Sequence, residues 1–266
     1  MTVGTLRVPD ARLYFEVRGK GPLLALVGAP MDARPFAPLA DLLAVDHTVL
    51  TTDPRGINRS PLDDPTADST PELRADDLAR LIAHVAEGPA VVLGSSGGAI
   101  TALALSSPQV HTVIAHEPPL IELLDDRAEL RAGTADIIAT HASGDLTGAW
   151  RKFLAQAGIP IPEPVIEKMY AADRDPEQLS DEHRFLAHEL RATVGWQPDI
   201  AVLRKGNPRI VLGIGEQSSG QLCDRTTTAL GKELAIEPVP FPGGHTGFAE
   251  NPTAFATRLR EVLAET

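Results

Sequence analysis

A single cysteine, Cys223, is all the thiol that 266 residues contain, which excludes an internal disulfide and any centre built from several thiolates. Basic residues are also in short supply. Lys and Arg total 24 against 36 Asp and Glu, a formal charge of -12, which argues against a surface that tracks nucleic-acid phosphates or a polybasic membrane patch. Long apolar runs are missing too: no stretch approaches the roughly 18 unbroken apolar residues that cross a bilayer. The opening MTVGTLRVPDARLYFEV has no basic segment leading into an apolar one. The expected location is cytoplasmic. No internal repeat, low-complexity tract or block of like charge interrupts the chain.

What is present is 43% hydrophobic and 23% charged, enough for one sizeable α/β core with an insertion. Residues 5–8 and 12–18 alternate as an opening antiparallel pair, and LLALV at 23–27 reads as a strand buried on both faces. A helix near 34–44, a strand at 47–53 and a Pro/Gly-rich loop, DPRGINRSPLDDP, follow. Then come a helix over 71–86, the strand AVVLG at 90–94, a helix from Gly97 and the strand HTVIA at 111–115. Regular alternation of strand and helix predicts a mostly parallel sheet of about eight strands with helices on both faces. From 119 to 205 only helical spacing is found, near 120–140, 146–157, 164–172 and 181–193, which predicts a helical cap inserted after the sixth strand. Residues 1–118 and 206–266 then form the core, which closes with strands at 209–215 and 236–241 and helices at 224–234 and 252–264.

AVVLG runs straight into Gly94-Ser95-Ser96-Gly97-Gly98. A sharp turn from strand to helix needs small residues on both sides of the turning serine, and it exposes that hydroxyl, which makes Ser96 the candidate nucleophile. Ser95 is the poorer choice, because Leu93 stands where its own turn would need a small residue. The Gly97 amide opens the helix and is placed to stabilise an oxyanion. A second donor is expected from Val27-Gly28-Ala29-Pro30-Met31. Pro30 has no N–H, which leaves Ala29 first, then Gly28, then Met31. His245, in the loop FPGGHTGF late in the chain, can reach the strand tips and take the serine proton. Any one of the other histidines is more simply a surface or core residue.

These features resemble the α/β-hydrolase superfamily over nearly the whole chain outside the cap, and DPRGINRS at 53–60 matches a loop common in it. The resemblance implies an acid just beyond the strand at 209–215, but the chain reads Gly215-Glu216-Gln217-Ser218 there, with Ser218 where Asp is expected. HTVIA ends instead in His116-Glu117-Pro118-Pro119, beside the nucleophile's strand. Glu117 is accordingly the expected acid, with Glu216 and Asp224 as alternatives. This combination resembles the zearalenone lactonase group, which carries a Ser-His-Glu triad and a His-Glu-x-Pro segment. Gly97, the oxyanion loop and the cap depart from that group.

The resemblance implies a serine hydrolase acting on a carboxylic ester or lactone, without metal or organic cofactor. The expected partners are water and a small hydrophobic substrate, with a second copy of the chain as the macromolecular candidate. Met31, Leu120, Trp150, Phe153, Tyr170, Phe185 and Trp196 are candidates for an apolar substrate pocket, each also able to serve as core. Arg55 and Arg59 read as loop-fixing cations more than as an anion site, and Cys223 as a small half-buried side chain. A C–C-bond hydrolase, a cofactor-free perhydrolase and a non-catalytic ligand receptor remain open on the same residues.

Overall fold

A computed structural model describes residues 1–171, 173–205 and 207–265. In chain order it contains β1 (Thr2–Val8), β2 (Ala11–Arg18), β3 (Leu23–Val27), α1 (Ala37–Leu43), β4 (Thr48–Thr52), α2 (Pro71–Val85), β5 (Ala90–Ser95), α3 (Gly97–Leu103) and β6 (Val110–His116). Helices α4 (Arg127–Ala142), α5 (Leu146–Ala157), α6 (Glu163–Met169), α7 (Pro176–Arg184), α8 (Leu190–Val194) and α9 (Ile200–Leu203) follow without an intervening strand. The chain ends with β7 (Arg209–Gly215), α10 (Leu222–Leu234), β8 (Val239–Phe241), α11 (Gly247–Glu250) and α12 (Pro252–Ala264). The expected helical insertion after the sixth strand is present. Ala172 and Gly206, the expected end of one insertion helix and the expected return to the core, lie outside the described residues.

The eight strands form one sheet in the order β1-β2-β4-β3-β5-β6-β7-β8. Pairing is antiparallel for β1 with β2 and β2 with β4, and parallel from there to β8. The period of two in β3 assigns its residues to two cores. Leu23, Ala25 and Val27 face one layer with Leu78, Leu81 and Ile100 of α2 and α3. Leu24 and Leu26 face the other, with Leu39 and Leu43 of α1 and Phe255 and Leu259 of α12. The insertion has its own core, in which Trp150, Phe185, Leu186 and Leu190 meet Leu222 of α10.

Two local departures have physical causes. The expected helix at 34–44 begins as a 3-10 turn over Arg34–Phe36. Pro35 and Pro38 each lack an amide hydrogen, and α1 proper starts only at Ala37. The expected helix at 181–193 passes through a π turn at Phe185–Glu189 that joins α7 to α8. No helix among the described residues is long and apolar enough to cross a membrane.

The second core layer supports the loop that follows β8, since Phe255 packs against Phe241, Phe248 and the His116 ring. Phe255→Ala is expected to lower stability by about 3–5 kcal/mol in denaturant unfolding. At the junction of insertion and core, Asp181 accepts the Asn58 amide at 2.8 Å. Burial, reinforced by the Asp32 charge and only partly offset by that hydrogen bond, raises the Asp181 pKa from 3.8 to about 6. A carboxyl whose folded pKa lies above its unfolded value favours the native state when protonated and disfavours it as pH rises through that interval. Asp181→Asn keeps the acceptor and removes the charge. Its melting temperature is expected to exceed the parent's above pH 6 and to lose that advantage below pH 3.8.

Candidate active site

At the end of β5 the backbone turns through Ser96 with φ 58 and ψ -127, a conformation that a side chain strongly disfavours. The turn closes because its flanks have no Cβ. A Cβ on Gly94 would stand 2.3 Å from the Gly98 carbonyl oxygen, and one on Gly98 would stand 2.2 Å from that of Val27. The Ser96 amide donates to the His116 carbonyl at 3.0 Å and ties the turn to β6. Ser96 is half-buried and opens onto a cavity of about 290 Å³. Ser95 faces the interior, fully buried, its hydroxyl 3.3 Å from Nδ1 of His116.

His245 lies in the loop between β8 and α11 and lines the same cavity as Ser96. Its Nδ1 is 2.6 Å from Oε2 of Glu117, in donor position. Glu117, at the tip of β6, is wholly buried and takes a left-handed φ of 54. Its own amide donates to the Gly213 carbonyl, and its Oε1 accepts the Gly215 amide at 2.7 Å. The neighbouring strand end makes room for this carboxylate. A Cβ on Gly215 would meet Oε1 of Glu117 at 2.9 Å and the Ser218 hydroxyl at 2.8 Å. The two alternative acids are elsewhere: Glu216 is exposed, and Asp224 accepts the Gly220 amide at 2.7 Å.

Charge follows from this geometry. Burial alone would raise the Glu117 pKa, but the hydrogen bond from His245 and the adjacent imidazoles outweigh it and lower it to about 2. Burial presses His245 toward its neutral form, yet Cys223 and the Glu117 carboxylate beside it prevail and hold its pKa above the ordinary 6.5. His116, sealed among apolar rings, is depressed by burial to about 4 and stays neutral.

Around the cavity stand Ala29, Met31, Gly97, Trp150, Phe153, Tyr170 and Phe185, seven of the residues singled out from the sequence. The indole of Trp150 stacks on Tyr170 at 4.8 Å between ring centres and donates to Oε2 of Glu182. Three other candidates are not brought to this cavity. Gly28 packs against Met31 and Phe36. Leu120 is buried in the sheet core. Trp196 packs on that same core and donates its indole N–H to Glu72. Arg55 and Arg59 make paired hydrogen bonds to Asp77 and Asp53 and hold their loop. The residue that sequence reasoning missed is Cys223, in the first turn of α10, which lines the cavity and places its sulfur within 4.8 Å of a ring nitrogen of His245. A lone cysteine outside any motif carries no signal of such a position.

Comparison with known proteins follows the same lines. The sequence profile described as the alpha/beta hydrolase family matches residues 23–258. YraK of Bacillus subtilis (strain 168), an uncharacterized hydrolase, is 32% identical over 278 residues, spanning 98% of this chain and 95% of its own. A thermophilic esterase from Thermogutta terrifontis has a TM-score of 0.75 at 19% identity, covering 100% of this chain and 99% of that one. Est816, an N-acyl homoserine lactone degrading enzyme, has a TM-score of 0.71 at 18% identity over 97% and 99% of the two chains. These two structures share the fold.

The pairing of His245 with an anion has a direct spectroscopic consequence. In an NMR titration the His245 ring is expected to change protonation above pH 6.5. Glu117→Gln should move that transition downward, because the imidazolium loses its adjacent carboxylate. An unmoved transition would mean that the carboxylate does not govern this imidazole.

Proposed function

The chain belongs to the alpha/beta hydrolase family, and from that premise we propose that it is a serine hydrolase cleaving a carboxylic ester or lactone with an apolar acyl or ring portion. The observation that carries this reading is the 2.6 Å contact between His245 Nδ1 and Glu117 Oε2. It fixes the ring so that its other nitrogen is available to the cavity that Ser96 also lines. Ser96 Oγ attacks the substrate carbonyl while His245, acting in its neutral form, takes its proton. Glu117 balances the imidazolium, and the Gly97 and Ala29 amides hold the oxyanion. His245 then protonates the leaving alcohol. Water, deprotonated by the same imidazole, releases the acid and restores the serine.

The substrate class rests on the lining. Residues 119–205 act as a cap in this reading, and Trp150, Phe153, Tyr170 and Phe185 give the cavity an aromatic wall that excludes water from the reacting carbonyl. A lactone ring or a medium-sized acyl chain suits about 290 Å³, and a zearalenone-type macrolactone is the narrowest form of the proposal. Lactone cleavage is compatible with the fold relative Est816, which degrades N-acyl homoserine lactones.

Ser96→Ala and Glu117→Gln are each expected to reduce hydrolysis of a chromogenic aryl ester by several orders of magnitude, since members of a triad act as a unit. Asp224→Asn should retain the parent rate. A fluorophosphonate probe should label Ser96 stoichiometrically in the parent and fail in Ser96→Ala. Full activity in the Glu117 variant would move the acid elsewhere, and tight binding of an apolar ligand without labelling would make the protein a receptor.

A further inference from the structure

Cys223 has no part in the acyl-transfer sequence, yet it stands at its centre. One carboxylate oxygen of Glu117, one ring nitrogen of His245 and the Cys223 sulfur all lie within 4.8 Å of one another. They come from three separate elements: the tip of β6, the loop after β8 and the first turn of α10. We propose that these three side chains bind a borderline-soft divalent cation of the Zn²⁺ type, and that its binding switches the hydrolytic site off.

The donor set decides which ion. Thiolate, imidazole and carboxylate together suit Zn²⁺ and Co²⁺, whereas Mg²⁺ and Ca²⁺ take oxygen ligands and gain little from sulfur. Three protein ligands leave a fourth position for water. Access exists, because Cys223 and His245 both line the cavity that Ser96 opens onto. The wholly buried Glu117 needs no approach from solvent, since it already touches the imidazole. Its other oxygen is held by the Gly215 amide at 2.7 Å, the kind of outer contact that orients a ligating carboxylate. Binding through sulfur replaces the thiol proton, which leaves to solvent; no electron transfer is involved.

Inhibition follows whichever ring nitrogen the cation takes. At Nδ1 it displaces the proton shared with Glu117 and removes the bond that orients the base. At the other nitrogen it occupies the electron pair that would accept the Ser96 proton. This part rests on the hydrolase reading given above; the binding of the cation does not.

The purified full chain, stripped with EDTA and exchanged into chelator-free buffer, separates the two. Titration with Co²⁺ is expected to give one equivalent of a tetrahedral visible spectrum together with a thiolate-to-cobalt charge-transfer band. Both should be absent from Cys223→Ser. Because Cys223 is the chain's single cysteine, the charge-transfer band reports this site and not the surface pair His141 and His183, whose ring nitrogens are 2.7 Å apart. Zn²⁺ should inhibit aryl-ester hydrolysis reversibly by EDTA, and Mg²⁺ should not. Half-inhibition of Cys223→Ser, measured against its own metal-free rate, should need at least about tenfold more Zn²⁺. Zn²⁺ should also raise the melting temperature of the parent more than that of the variant, with Cys223→Ala as a second replacement should the serine variant fold poorly. Ester hydrolysis with no cobalt–thiolate band, or equal Zn²⁺ sensitivity in parent and variant, overturns the cation site and leaves the hydrolase standing. A cobalt–thiolate band in a chain that hydrolyses no ester keeps the site and removes its inhibitory role.

Discussion

A carboxylate with no solvent contact must have its charge answered by the protein, and Glu117 is in that position. One of its oxygens takes the Gly215 amide at 2.7 Å and the other takes Nδ1 of His245 at 2.6 Å. These bonds join three segments far apart in sequence: the tip of β6, the end of β7 and the loop after β8. If either partner were lost, a buried anion would be left underpaired, so the carboxylate fixes the position of the histidine and not the reverse. The ring's orientation and its place on the cavity wall descend from that one buried charge, and its protonation from that charge together with Cys223.

Backbone geometry is subordinate to the same requirement. Two non-glycine residues in the site adopt left-handed φ, Ser96 at 58 and Glu117 at 54, and each such residue costs on the order of 1–3 kcal/mol. The strain at Ser96 is held by close contacts among β3, β5 and α3, where Gly94 and Gly98 let the chains touch. The strain at Glu117 is held by its amide bond to Gly213 in the adjoining strand. A parallel sheet supplies both restraints at one edge, because β5, β6 and β7 end side by side there.

That common edge is why so much was legible in the sequence. Apolar runs such as LLALV and AVVLG identify doubly buried strands, and a glycine-flanked serine after one of them reads as a strand-to-helix turn. The position of Glu117 was legible from its place at the end of the strand beside the one that leads into Ser96. Its partner at the next strand, the space left by Gly215, was not, since a missing Cβ announces no function. Aromatic residues were the least informative. Trp150 and Trp196 both fall in the insertion, yet one stacks over the cavity and the other leans on the sheet core and bonds Glu72, because composition records that a ring is present and not what it packs against. Cys223 escaped for a related reason: its place beside the cavity is set by proximity to a histidine 22 positions later, reached through a helix and a strand.

The aromatic wall, finally, is only as definite as its attachment to the sheet. Arg184, at the end of α7, donates to the carbonyls of Pro65 and Ala67 and to the Ser69 hydroxyl. A Cβ on Gly56 would lie 1.8 Å from its Nε, so the loop after β4 admits this arginine only because glycine stands there. Glu189, almost fully buried, sits between Arg184 at 3.3 Å and Arg74 at 3.7 Å, and Arg74 donates to Thr193 on α8. Taking such ions out of water is costly, and their mutual attraction repays it only in part. Their contribution is therefore better understood as definition than as stability. The charged cluster fixes the π turn of Phe185–Glu189 against the core, so that Phe185, the first residue of that turn, presents its ring to the cavity and not to solvent.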